Sequence, residues 1–585
     1  MSPRLRLAPL LAPLVAAVVA AGGCGSNPTG TSIDPAGAVP ASASLYAGAV
    51  VRPEGSLQKA ASAAGRALTH QADPYLRLLG ALQTPGSPAP DFKRDVAPWL
   101  GPRAGVFLNS VGSSGGSSEA AVSRLLTLVR RGLLGGGTTG GGAFPFAAHS
   151  VEGAIVLDTR DTAKARSFVQ ALAKRAGAHT GSYRGVSYQA GNGLAFGIVA
   201  RLVVLGTEPA LRSVIDTTSG GGLSLARSPG YSKLQAAAPG GVLAHLYANP
   251  GAVSEGAGRA RAQGSASALT ALAGQRLLNV SLVPTSSSLA LDVDAVAPDS
   301  ASTGGSGSGG LLAASPDASR ALGELPGESW LAVGLGDLGS TLSTNAQALK
   351  GLASLGSVLT GSTTSGPPAG LSVPGLVEGL LKPLTVLGAN TAETKRDFAS
   401  WMGSAGLFAS GSGLLELRGG VVIDSKNAVR SRAAVAKLGA LLRQGGGSVQ
   451  RTSVHGADAA VAVHLTGLPV VLDIADGRDS SGNTKFVIGI GEQSVEAALN
   501  PSSTLSGASS YGTAAASLGE AIQPSVLVEF PTLLGLLEGV GLSEDPTIAP
   551  LVPYLRSLGT LSGGGKSLGG GIERFRLVLG LQGGG

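Results

Sequence analysis

The chain holds a single cysteine, Cys24, in 585 residues. No intrachain disulfide can form, and no centre needing several thiolates can be assembled. Aromatic residues make up only 4% of the chain, so a core must be filled mainly by aliphatic and small side chains. Charge of one sign is not concentrated either. No five basic residues run together, and the formal charge is +7. Setting aside Arg4 and Arg6 leaves 41 basic against 36 acidic residues, or +5. Nucleic-acid binding wants a clustered basic face, so this composition argues against it. A weak attraction to anionic lipids or wall polymers is compatible with it. The six histidines, His70, His149, His179, His245, His455 and His464, form no H-x-x-x-H pair and stand near no acid at metal-ligand spacing. No metal and no cofactor is expected.

What is present begins at the N-terminus. Arg4 and Arg6 precede an apolar stretch at residues 7–21, and small residues follow up to Cys24. That order is the layout of an export signal. The stretch is shorter than the roughly 20 residues a spanning helix needs, and Pro9 and Pro13 interrupt it. Ala21-Gly22-Gly23-Cys24 resembles a lipobox, with Ala21 in place of the usual leucine. The pathway needs a thiol, because diacylglyceryl transfer alkylates sulfur and cleavage before Cys24 frees an amine for a further acyl chain. Two or three chains anchor stably where one does not. Residues 1–23 are therefore expected to be a lipoprotein signal peptide. Residues 24–40, rich in Gly, Pro and polar residues, are expected to be a flexible tether. The predicted address is the outer face of the bacterial cytoplasmic membrane, with the membrane itself as partner through lipid on Cys24.

The body shows ordered internal correspondences. DVAPWLG at 95–101 matches DFASWMG at 397–403, and the strand–helix pattern AIVLDTRDTAKARSFVQALAKR at 154–175 matches VVIDSKNAVRSRAAVAKLGALL at 421–442. Asp161 and Asn427 are placed to cap the helices, and Phe168, Val169 and Leu172 share one helical face. SYRGVSYQ, LAFGIV and LVVLG follow closely enough for antiparallel hairpins. Strict βαβ alternation is missing. The predicted fold is thus α+β, two tandem related repeats of antiparallel sheet with packed helices, at 41–300 and 319–585. A Gly/Ser-rich linker at 301–318 separates them. Tracts at 111, 133, 302 and 361 read as surface insertions.

The tether, ASASLYAGAVVRPEGSL, DVAPWLG and IVLDTRD together resemble a bacterial lipoprotein family catalogued as domain of unknown function 3352. The resemblance covers most of the first repeat and extends to the second. It implies an exported, membrane-tethered protein. The family has no assigned activity and no catalytic residues to carry over.

Several motifs imitate chemistry without its context. GLGDLG at 334–339 fits G-x-G-x-x-G, but no acid occurs between Asp337 and Glu378 to hold a ribose, so it reads as a turn. GGGKS at 563–567 has Thr560 where a phosphate loop needs its first glycine. GKSLG and GSSGG, both G-x-S-x-G, lie in glycine tracts rather than at nucleophile elbows. No catalytic residue is assigned. Asp95 with Trp99, and Asp397 with Trp401, are the most specific internal signal. They read as turn or cap plus core filler, with a ligand-stacking pair as the alternative.

The functional expectation is a non-enzymatic lipoprotein that binds or carries an apolar or envelope-derived ligand between its halves, through an open apolar cavity. The alternative is a structural or protein-interaction module of the envelope, with an envelope protein as partner. A hydrolase assembled from distant Ser, His and Asp residues ranks third.

Overall fold

The computed structural model describes residues 32–69, 92–111, 151–175, 177–191, 193–249, 276–296, 315–340, 395–413, 416–444, 446–464, 470–519, 521–539, 541–544, 549 and 552–582. The signal, Cys24, the Gly/Ser-rich tracts after residue 111 and at 133, 302 and 361, and His70 and His149 lie outside them. The chain divides into two compact units, one reaching to Gly304 with Leu568–Ile572, the other Gly305–Ser567 with Glu573–Gln582.

The first unit holds β1 (Leu45–Val50), β2 (Leu100–Val111), β3 (Val151–Thr159), β4 (His179–Tyr183), β5 (Val186–Gly191), β6 (Leu194–Val199), β7 (Leu202–Thr207), β8 (Ala244–Ala248), β9 (Leu277–Pro284) and β10 (Ser288–Val296). Its helices are α1 (Gly55–Thr69), α2 (Thr162–Arg175), α3 (Glu208–Thr218) and α4 (Pro229–Ala237). The strands pair antiparallel in the order β4-β5-β6-β7-β3-β2-β1-β8-β9-β10. The period of two decides which helix lies on which face. Val156, Leu202 and Val204 point into the layer with α3 and α4, while Val203 and Leu205 point into the layer with α2. A slip of one residue would exchange the two sets, so the register is strongly specified. Thr207 caps α3 by accepting from the Ala210 amide at 3.4 Å, and Asp161 caps α2 through the Lys164 amide at 3.0 Å.

The second unit holds β11 (Ser329–Leu335), β12 (Met402–Ser410), β13 (Arg418–Ser425), β14 (Ser448–Thr452), β15 (Ala457–His464), β16 (Val471–Arg478), β17 (Thr484–Ile490), β18 (Val526–Glu529) and all but the Leu568–Ile572 portion of β19 (Leu558–Gly569) and β20 (Ile572–Leu581). Its helices are α5 (Pro316–Gly323), α6 (Ala428–Gln444), α7 (Glu492–Leu499), α8 (Ser509–Leu518), α9 (Phe530–Gly539) and α10 (Val552–Arg556). Strands β14-β15-β16-β17-β13-β12-β11-β18-β19 pair antiparallel in that order. Phe486 and Ile488 pack toward α6, and Val487 between them packs toward α7 and α8. Asn427 caps α6 through the Arg430 amide at 3.0 Å.

The expectation of an α+β fold in two tandem repeats is corrected here. Among the described residues the fold is β-rich and antiparallel, 41% strand against 35% helix, in twenty strands. Its helices cover sheet that long-range strand pairing builds, such as Leu45 against Leu108. Such pairing leaves no local mark in a sequence, whereas amphipathic helices do. Two further readings shift. Asp34, inside the expected tether, caps a short 3-10 turn at Pro35–Gly37, and Ala36 and Val39 are fully buried, so packed structure starts before residue 41. GGGKS, read as a glycine tract, lies within β19, where a side chain at Gly564 would sit 2.3 Å from the Gln523 carbonyl oxygen.

Candidate functional site

The two Asp/Trp motifs are built alike. Each indole N–H donates to the carbonyl four residues back, Trp99 to Asp95 and Trp401 to Asp397, both at 2.8 Å. Both rings are buried. Phe168 lies 5.2 Å from the Trp99 ring and Phe486 lies 5.1 Å from the Trp401 ring. The two aspartates stay at the surface and pair with cations, Asp95 with Arg94 at 2.8 Å and Asp397 with Lys437 at 3.1 Å. Both indoles are thus enclosed by the protein, each with one phenylalanine tilted against it.

A second constellation escaped the sequence reading. Asp424 lies next to the end of β13 and Lys485 near the start of β17, directly across the ladder. Lys485 Nζ stands 2.5 Å from Asp424 Oδ1, 2.6 Å from Glu324 Oε2 and 3.6 Å from Asp479 Oδ2, with its side chain only 6% exposed. Arg320 on α5 completes the network, 2.9 Å from Glu324 Oε1 and 3.2 Å from Asp424 Oδ2. It also donates to Ser404 Oγ at 2.9 Å, and Ser404 in turn donates to Asp424. Burial works against the Lys485 ammonium, yet hydrogen bonds and charge from Asp424 and Glu324 outweigh it and hold its pKa above the ordinary lysine value. Burial likewise opposes the Asp424 carboxylate, but Lys485, Ser404 and Arg320 keep its pKa low. The only advance sign was a lysine and an aspartate at the ends of apolar strands, which carries no clue to their meeting.

Beside this network opens a hollow of about 350 Å³, lined by Pro316, Ser319, Arg320, Glu324, Tyr511 and Gln523 among others. Charged groups line part of it, and the Tyr511 ring with Pro316 supplies apolar surface. Its size falls at the lower end of small-molecule sites. Chemically the cluster is a poor catalyst. Lys485 stays protonated and Asp424 stays ionised within ion pairs, so Ser404 has no free base beside it.

His245 on β8 is half-buried in the first unit. Its Nε2 lies 3.0 Å from the Tyr231 hydroxyl, and its ring lies 5.6 Å from that of Tyr46. Gly48 makes the room, since a Cβ there would sit 2.5 Å from His245 Cε1. Burial lowers the imidazole pKa to about 4, so the ring is neutral at physiological pH. Asp476 on β16 is the other buried titratable group of note. It is fully buried, neither carboxylate oxygen has a hydrogen-bond partner, and Arg432 Nε stands 3.7 Å from Oδ1. Burial raises its pKa, opposed by Ser431 and Arg432 and reinforced by Asp458. No group of three or more His, Cys, Asp or Glu side chains that could hold a metal occurs among the described residues.

The model of the family described as Protein of unknown function (DUF3352) matches residues 10–567. The chain belongs to that family. No curated protein matches it. Among solved structures it is similar to the one described as "Structure of crystal form I of TP0453", with 11% identity and a TM-score of 0.24, over 46% of this chain and 80% of that one.

Proposed function

We propose that this protein is a membrane-tethered, non-catalytic binding module of the cell envelope, held at the outer face of the cytoplasmic membrane by lipid on Cys24. The observation that carries the reading is the position of the chain's one cysteine, directly after two arginines, an apolar stretch and a run of small residues. A thiol used nowhere else has a clear use there. The hollow beside Arg320 and Glu324 is open to solvent and mixes charged with apolar lining, so it offers the headgroup end of a lipid-like or envelope-derived ligand a surface to rest on. Saturation of Lys485 and Asp424 by each other supports a binding role over a hydrolytic one.

Expression of wild type and Cys24→Ala in a bacterial host, followed by membrane fractionation, tests the anchor. Wild type partitions with membrane, and its N-terminal peptide carries a diacylglyceryl mass on Cys24. Persistent membrane retention of Cys24→Ala, or an unmodified Cys24 in the wild-type protein, would overturn the assignment. Native mass spectrometry of the protein from its own envelope then tests the cargo, which shows as a reproducible extra mass that extracts into organic solvent.

A further inference from the structure

Helix α6 packs on the sheet through Ser431, Ala434, Val435, Leu438 and Leu442, and its other face is open to solvent. Its seventeen residues include four cations, Arg430, Arg432, Lys437 and Arg443, and no acid. The adjoining Arg396 adds a fifth. Opposing them are Asp397, paired with Lys437 at 3.1 Å and with Arg396 at 3.2 Å, together with Asp458 and the buried Asp476, both beside Arg432. Arg430 donates to Ser400 Oγ at 3.0 Å. Arg430 and Arg443 have no carboxylate within ion-pair distance among the described residues, so positive charge is left over on this face.

The same face exposes apolar groups. Val429 is 81% and Leu441 39% exposed, with Ala433, Ala436 and Ala440 open between them. Unopposed cations beside a few apolar side chains form the pattern by which a helix lies against an anionic bilayer surface. Helix α2 of the other unit carries the same charge signature, with Lys164, Arg166, Lys174 and Arg175 and no acid.

We infer that the outer face of α6 docks onto anionic phospholipid headgroups, with Arg430 and Arg443 supplying the unspent charge and Val429 and Leu441 resting at the interface. The inference is consistent with the Cys24 tether but does not depend on it, because a folded body can bind vesicles whether or not Cys24 carries lipid.

The test uses the full chain carrying Cys24→Ser, so that no acyl chain contributes, in co-sedimentation with vesicles of phosphatidylcholine alone and of phosphatidylcholine mixed with phosphatidylglycerol. Binding is expected only to the anionic vesicles and is expected to weaken with salt. Each cation near an anionic surface multiplies affinity roughly fivefold, so Arg430→Gln with Arg443→Gln should weaken binding about 25-fold. Arg430→Lys with Arg443→Lys keeps the charge and should bind as before, which separates lost charge from lost folding. Lys59→Gln with Arg227→Gln removes equal charge from the other unit and should bind as before. No preference for phosphatidylglycerol would overturn the inference. So would an equal loss in the Lys59/Arg227 variant, or undiminished binding after Arg430 and Arg443 become glutamine.

Discussion

Replacing Lys485 by methionine keeps the aliphatic stem and removes only the ammonium. Asp424 and Glu324 then lose their shared partner, and the Asp424 side chain is only 23% exposed. Breaking a buried ion pair from one side costs about 3–5 kcal/mol. Arg320 and Ser404 still hold Asp424, so the lower end applies, about 3 kcal/mol. For a unit of this size each kcal/mol moves the melting temperature by about 2–4 °C, which gives a loss of roughly 6–12 °C by calorimetry. Lys485→Met combined with Asp424→Asn should lose clearly less than the two single losses added, because the uncompensated charge is gone. The pH dependence follows from the two shifts. Asp424 has a lowered folded pKa, so its stabilisation is present above the unfolded value near 3.9 and is lost as pH falls through the folded one. Lys485 has a raised folded pKa, so its stabilisation is present below the unfolded value near 10.4 and is lost as pH rises through the folded one. The difference between wild type and Lys485→Met should therefore stay level from about pH 5 to 9 and shrink on either side. Strict additivity of the two substitutions, or a melting temperature unchanged in Lys485→Met, would refute the coupling.

Three further substitutions probe other buried groups. Asp476 has a raised folded pKa, so at neutral pH its buried charge destabilises the fold. Asp476→Asn should raise the melting temperature at pH 7, by about 1 kcal/mol in free energy, and this gain should fade as pH drops below the raised pKa; a destabilised Asn variant would show that the carboxylate is satisfied. Trp401→Phe keeps a buried ring but orphans the Asp397 carbonyl, at a cost of about 1–3 kcal/mol. Trp99→Phe should cost a similar amount, and a large drop in ligand binding without loss of stability in either variant would favour the stacking role instead.

Local rules of the sequence proved legible where the chemistry is local. Asp161 and Asn427 cap their helices through the amides three residues on. The closely spaced apolar segments from residue 179 to 207 pair as consecutive antiparallel strands. What could not be read depends on distance along the chain. Glu324 and Lys485 meet across 161 residues, and nothing in GELPG or TKFVIGI announces the contact. The glycine run in β19 misleads for a related reason. Its glycines look like a tract without structure, yet Gly563 and Gly564 leave space that Phe575, Leu577, Ile522 and Gln523 fill. The sequence understates strand against helix for the same reason: amphipathic periodicity is visible in a single segment, while a ladder needs both of its sides.

The enclosure of His245 gives the protein an internal reporter. A reagent that acylates neutral imidazole reacts readily with the exposed His179 and His464, whereas the half-buried His245, packed against Tyr46 and Tyr231, reacts more slowly and speeds up when that unit opens. Peptide mapping against time therefore follows changes in the opening of the first unit from one side chain. Because the readout is chemical and needs no optical signal, it works equally on protein left in native membranes, where it would show whether ligand or lipid contact slows the opening.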